Sequence, residues 1–195
     1  MTRIETLIER AKKLKERGLS TEEVADELNV SRETALWLLT HAPEEPPSDI
    51  YVEWRNLTRP QRLRCIATAL ADMIQERVKE DPEVVVGIAT SGIPLASMVA
   101  EELGIELAIY YPRKFKVDEK REKAGIMSEN FAKVSSKKCV IVDDIISTGR
   151  TVKEAVECIE ALEGKVLCAA VIVDKRGSEE IDSTPIYSML KIVRL

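Results

Sequence analysis

Apolar residues recur along the chain at two different periods, and the change of period divides it. Through residue 40 they fall three and four apart. Ile4, Leu7, Ile8, Ala11 and Leu14 make one stripe of a helix over 4–17, and Gly18 suits its C-terminal stop. Ser20-Thr21-Glu22-Glu23 is a capping box, in which the serine hydroxyl and the glutamate carboxylate each satisfy an orphan amide, so a second helix opens there. Ser31 is the N-cap of a third. Only Asn29 and Val30 separate the second helix from the third, which demands a sharp turn, and asparagine is one of the few residues besides glycine that tolerates a left-handed backbone. The pattern predicts a helix-turn-helix with Val24, Ala25, Leu28, Val30, Ala35 and Leu38 on its inner face, the small Ala25 letting the helices approach closely.

Beyond residue 50 helical stripes alternate with short, continuously apolar runs. Helices are predicted over 62–78, 91–104 and 151–164, and strands over 83–89, 106–111, 138–145, 165–174 and 186–193, with a polar excursion over 112–125. Strands this apolar are buried on both faces, and helices between them imply a mainly parallel sheet covered on both sides. The fold class is therefore α/β behind a helical N-terminal domain. The stretch "HAPEEPPSD", 41–49, holds three prolines and no periodic pattern, which is the composition of a semi-rigid linker. The expected domains are 1–40, a linker over 41–49, and 50–195.

Composition narrows the function classes. A chain of 195 residues with 45% apolar and 32% charged residues has the balance of a soluble protein. The longest apolar runs, such as "CAAVIV" at 168–173, fall far short of the roughly 18–20 residues a bilayer demands, and no signal peptide is read at the N-terminus, so no membrane partner and a cytoplasmic location are expected. Cys65, Cys139, Cys158 and Cys168 lie in apolar segments without C-x-x-C spacing and are expected to be buried thiols. The single histidine, His41, sits in a Pro-rich stretch, which argues against His-based triads and multi-His metal sites. A formal net charge of −5 means that any contact with nucleic acid must come from a local patch.

The densest chemistry lies in "CVIVDDIISTGRT", 139–151. Ligands of open α/β sheets sit beyond the carboxyl ends of the strands, where Asp143 and Asp144 fall. The turn Ser147, Thr148, Gly149, Arg150, Thr151 leads from there into a helix and offers amides, hydroxyls and a positive dipole end, which together form a phosphate cradle. Carboxylates beside such a cradle would repel phosphate unless they face ribose hydroxyls or a Mg2+ ion. The pattern asks for a phosphorylated sugar. The plainer alternative is that the two aspartates end a strand and cap a helix.

This run resembles the signature of the type I phosphoribosyltransferases, whose ligand is 5-phosphoribosyl-1-diphosphate (PRPP). The resemblance implies that Asp143 and Asp144 contact the ribose 2- and 3-hydroxyls, that 147–151 hold the 5-phosphate, and that Mg2+ enters with PRPP, reaching the two acids through the ligand. "GIATSGIPLASMVAEELG" resembles the family's pyrophosphate loop, placing Thr90, Ser91 and Gly92 against the diphosphate, where a strained or cis peptide is usual. Arg113 and Lys114 match an Arg-Lys pair of the orotate enzymes, whose charges would meet the diphosphate. The match then fails: Val117 and Glu119 stand where those enzymes carry a catalytic lysine and a histidine, and Lys116 and Lys120 are out of register. Loss of a charge-stabilising lysine costs rate more than ground-state binding.

Nearly the whole chain resembles the archaeal orotate-phosphoribosyltransferase-like transcriptional regulators, which join a helix-turn-helix to a phosphoribosyltransferase domain; "SDIYVEW", "ALADMI", "YYPRK" and "MSENFAKV" all look like that group. The resemblance implies a homodimeric DNA-binding regulator that senses PRPP or a related phosphorylated ribose and acts on a double-stranded operator. Ser31, Arg32, Glu33, Thr34 and Thr40 are the candidate DNA-facing residues. Seven bases against eight acids through residue 40 leave the helical module without a basic excess, although five of the seven lie between 10 and 17. A helical dimerisation module or adaptor is one alternative. The other is an active orotate or purine phosphoribosyltransferase using Lys116 or Lys120 in a rearranged loop.

Overall fold

The computed structural model describes residues 3–40, 49–112 and 125–193. The expected linker, apart from Asp49, and the candidates Arg113, Lys114, Lys116 and Lys120 lie outside the described residues. The chain forms two compact units, Met1–Glu53 and Trp54–Leu195.

The first unit consists of α1 (Arg3–Glu16), α2 (Thr21–Glu27) and α3 (Arg32–Thr40). All six residues expected on the inner face of α2 and α3 are buried and join Ala11 of α1 in one apolar cluster. The capping box forms: the Ser20 amide donates to Glu23 Oε2 at 2.6 Å and the Glu23 amide to Ser20 Oγ at 3.2 Å. Asn29 takes φ 54, the left-handed conformation that lets α2 stop and α3 start within a few residues. Ser31 caps α3, its Oγ accepting from the Thr34 amide at 3.1 Å. Asp49 and Tyr51 belong to this unit as well: Asp49 Oδ2 accepts from the Ser31 amide at 2.5 Å, and Tyr51 packs on the helical cluster.

In the second unit α4 (Pro60–Arg77) is followed by β1 (Val84–Ile88), α5 (Gly92–Leu103), β2 (Glu106–Tyr111), β3 (Ile126–Met127), β4 (Lys138–Ile146), α6 (Arg150–Ala161), β5 (Lys165–Asp174), β6 (Glu180–Ile181) and β7 (Thr184–Lys191). The sheet order is β3-β2-β1-β4-β5-β7-β6. The five strands from β2 to β7 run parallel, and the two-residue strands β3 and β6 add antiparallel edges. Neither short edge strand was expected from the sequence. Val84, Val86 and Ile88 of β1 pack in one cluster with Val152, Ala155, Val156 and Ile159 of α6. Alternate strand residues turn to the opposite face, which α4 and α5 cover. Because α5 and α6 leave neighbouring strands and cover opposite faces, the connections diverge between β1 and β4. That divergence is the topological switch point, where doubly wound sheets bind ligands.

No helix among the described residues is long and apolar enough to cross a membrane. The expectation of four buried thiols needs correction. Cys139 and Cys168 are buried in strands, Cys158 is half-buried and Cys65 is exposed. The inward stripe of α4 runs through Leu63, Ala67, Leu70, Ala71 and Ile74, and position 65 falls off it.

Candidate functional site

β4 outruns β1 at the switch point. Its last pair with β1 is Gly87↔Val142, whereas pairing with β5 continues through Asp143↔Val171 and Ile145↔Val173 to Ile146↔Asp174. The two acids therefore sit near the end of the strand, as the expected strand over 138–145 implies, with the strand running one residue further, to Ile146. They lie just where it loses its β1 neighbour and faces the crevice.

Asp143 and Asp144 are 8% and 3% exposed, which is unusual enough for carboxylates that their partners decide what they do. Asp143 Oδ1 accepts from the Asp144 amide at 2.9 Å. Asp144 Oδ1 accepts from the Ile145 amide at 2.8 Å and from the Ser91 hydroxyl at 3.0 Å. Asp144 Oδ2 is buried and has no hydrogen-bond partner among the described residues. Burial pushes the Asp144 carboxyl above the usual carboxylate range, against the pull of its contact with Asp143, the Ser91 hydroxyl and the Ile145 amide. A buried oxygen left in this state favours an arriving hydroxyl donor or cation.

The turn after β1 closes the other wall. The Ala89–Thr90 peptide is cis, and Thr90 and Ser91 are exposed at the mouth. Gly92 starts α5 against β4, where a Cβ would lie 2.8 Å from both Asp143 Oδ1 and the Val142 carbonyl oxygen. Only glycine lets the helix start this close to the acids.

The turn after β4 supplies the third wall. Gly149 takes φ 80 and precedes α6, and the Arg150 amide donates to Thr148 Oγ1 at 3.4 Å. Thr148 is exposed and Ser147 half-buried, so hydroxyls and the α6 N-terminus border the crevice together. Thr90, Ser91, Gly92, Asp143, Asp144 and 147–151 thus flank one switch point.

Two residues missed in the sequence belong to the same neighbourhood. Asp174, the last residue of β5, is fully buried, and its Oδ1 accepts from the Arg176 amide at 2.9 Å and lies 3.7 Å from Arg176 Nε. A Cβ on Gly149 would sit 3.0 Å from Arg176 Nη1 and 2.9 Å from Ile181 Cδ1, so a guanidinium lies directly against the 147–151 turn. An acid at the end of an apolar strand was the available signal, the same one that marks Asp143.

Mg2+ binds through oxygen ligands, often one or two carboxylates completed by substrate phosphates and water. The Asp143–Asp144 pair with its unpartnered Oδ2 suits such shared coordination, and no group of three or more His, Cys, Asp or Glu able to cage a metal alone occurs among the described residues.

On the helical unit the candidate DNA-facing residues are largely engaged within the unit. Arg32 Nε donates to Glu22 Oε1 at 2.5 Å, Ser31 Oγ and Thr34 Oγ1 lie 2.9 Å apart, and Thr40 Oγ1 donates to the Leu36 carbonyl at 3.0 Å. Glu33 is exposed.

Residues 53–194 match the phosphoribosyl transferase domain family. The chain is 72% identical to the transcriptional regulator GfcR of Archaeoglobus fulgidus, with 100% of both chains covered. It is 43% identical to the GfcR of Methanocella arvoryzae, again with 100% of both covered. Among solved structures, orotate phosphoribosyltransferase from Aeropyrum pernix matches with a TM-score of 0.58 at 22% identity, over 76% of this chain and 81% of that one. Adenine phosphoribosyltransferase from Rhodothermus marinus gives the same TM-score and identity over 76% and 89%. At that identity the structural likeness speaks for the fold alone. The parallel sheet, its switch-point crevice and full-length identity to named regulators agree, and the chain belongs to the GfcR transcriptional regulator family, its residues 53–194 forming a phosphoribosyl transferase domain.

Proposed function

We propose that this chain is a DNA-binding transcriptional regulator that senses PRPP or a related phosphoribosyl metabolite, taken up with Mg2+, and controls genes of sugar or nucleotide metabolism. The observation that carries the ligand half is the buried Asp143–Asp144 pair, with Asp144 Oδ2 unpartnered, beside the 147–151 turn. Ribose hydroxyls donate to carboxylates, and the α6 N-terminus with the Thr148 hydroxyl accepts a phosphate. Bound Mg2+ supplies charge neutralisation between diphosphate and acids. The relatives' name as transcriptional regulators and the three-helix unit support the DNA half.

Regulation follows from linkage. A ligand that binds one state of the chain more tightly shifts DNA affinity by that same free energy, typically about 1–3 kcal/mol in allosteric proteins. A homodimer fits this reading, because two helical units about a two-fold axis address two half-sites of one operator.

The test is calorimetric titration of PRPP with Mg2+ into the wild type and Asp143→Asn/Asp144→Asn, followed by orotate and each purine base with pyrophosphate detection. Binding without turnover, lost in the variant, is the expected result. Pyrophosphate release with any base would make the chain a phosphoribosyltransferase.

A further inference from the structure

The helical unit is electrically lopsided. α2 and α3 carry Glu22, Glu23, Asp26, Glu27 and Glu33 against one base, Arg32, which is already paired with Glu22. Duplex DNA presents one phosphate charge about every 1.7 Å, so an acidic helix pair meets repulsion where a recognition surface needs attraction. α1 has the opposite character. Arg10, Lys13 and Arg17 are spaced three and four apart, which sets them along one edge of the helix, and although Glu9 and Glu16 flank Lys13 at the same spacing, bases outnumber acids five to two over 9–17. Arg17 lies one residue beyond α1, but its amide still donates to the Lys13 carbonyl at 3.3 Å, so it stays in line.

The edge is available and partly preorganised. Lys13 and Arg17 are exposed and form no ion pair among the described residues. Arg10 is fixed by Tyr51: its Nη1 donates to the phenol oxygen at 2.6 Å, and its Cζ lies 6.0 Å from the ring centroid. A guanidinium held this way keeps further donors and loses little side-chain entropy on meeting a phosphate.

We infer that duplex DNA meets this unit through its phosphate backbone along the α1 edge Arg10–Lys13–Arg17, and not through the bases and hydroxyls of α3. This rests on the DNA-binding reading above and moves the principal phosphate contacts to α1, away from the candidate DNA-facing residues Ser31, Arg32, Glu33, Thr34 and Thr40.

The test is fluorescence anisotropy of the full chain on a labelled random-sequence duplex of about 30 base pairs across a salt series. Lys13→Gln/Arg17→Gln should weaken binding more than tenfold near 0.1 M salt and flatten the log–log salt slope by about 1.8, about 0.9 for each lost phosphate contact. Lys79→Gln/Lys133→Gln, which removes the same charge from exposed positions of the other unit, should leave the slope unchanged. A wild-type chain that binds duplex while the α1 pair has no effect, or a slope that instead falls with Arg32→Gln, would overturn the α1 surface and leave the regulator reading standing. A wild-type chain that binds no duplex even at low salt would remove both.

Discussion

The Ser91 hydroxyl donates to Asp144 Oδ1 at 3.0 Å, tying the turn after β1 to β4 across the point where the strand order diverges. The bond occupies one carboxylate oxygen, while the other, Oδ2, is buried without a hydrogen-bond partner among the described residues. Hydrogen bonds to charged groups are worth about 1.5–3 kcal/mol, so Ser91→Ala should weaken PRPP binding by about ten- to a hundredfold, with Ser91→Thr retaining most of it. Calorimetric titration of both variants checks this, and equal affinities for alanine and threonine would show that Asp144 is oriented without the hydroxyl.

Asp144 also gives the fold a pH signature. Burial raises its carboxyl above the ordinary value of 3.8, so the folded chain holds a proton that the unfolded chain has already released. Stability from this group is present below 3.8 and is lost as pH rises through the raised value. At neutral pH the buried carboxyl is a net cost to the folded state. Asp144→Asn should therefore raise Tm at pH 7 by a few degrees, about 2–4 °C for each kcal/mol in a chain of this size, with the gain shrinking toward pH 4. The same substitution should abolish PRPP binding. Scanning calorimetry across pH would refute the assignment if the variant melted below the wild type at every pH.

Two glycines hold the crevice walls at their spacing. In Gly92→Ala the new methyl meets Asp143 Oδ1 and the Val142 carbonyl at 2.8 Å, and in Gly149→Ala it meets Ile181 at 2.9 Å on a backbone of φ +80. Overpacking of this kind costs about 1–3 kcal/mol, and urea unfolding should show it in each variant. Gly92→Ala also displaces an acid and should lose ligand affinity beyond its loss of stability.

The cysteines separate by reactivity. Burial pushes the Cys139 thiol up to about 11 and the Cys168 thiol up to about 12, so neither supplies thiolate near neutral pH. Cys65 is exposed on α4. Iodoacetamide on the native chain should alkylate Cys65 first and leave Cys139 and Cys168 untouched until the chain unfolds, as peptide mass mapping would read directly. Alkylation of Cys139 at the same rate would mean that β4 opens locally.

Much of this arrangement is legible in the sequence because its signals are long or chemically dense. β2 and β5 appear with their full extents, as continuous apolar runs, and α2 announces itself by its capping box. β3 and β6 pair over two residues each, too short for any period to register. β4 is legible to within one residue of its end at Ile146, its ladder to β5 carrying two acids of poor strand propensity through. Asp174 and Arg176 lack a motif and gain meaning only when β5 ends beside Gly149. On the helical unit, residue types at α3 suggest contacts with DNA, but the pairing of Arg32 with Glu22 is a three-dimensional fact that the spacing of residues does not contain.

The unpartnered oxygen of Asp144 has a bearing on how long the protein survives. A ligand that satisfies it binds only the folded chain and stabilises it by RT ln(1 + [L]/Kd), about 2.7 kcal/mol at a hundredfold excess over Kd. Where degradation proceeds through the opened state, that shift thins the population open to proteases about a hundredfold. The abundance of the regulator, as well as its conformation, would then follow the concentration of the metabolite that fills the crevice.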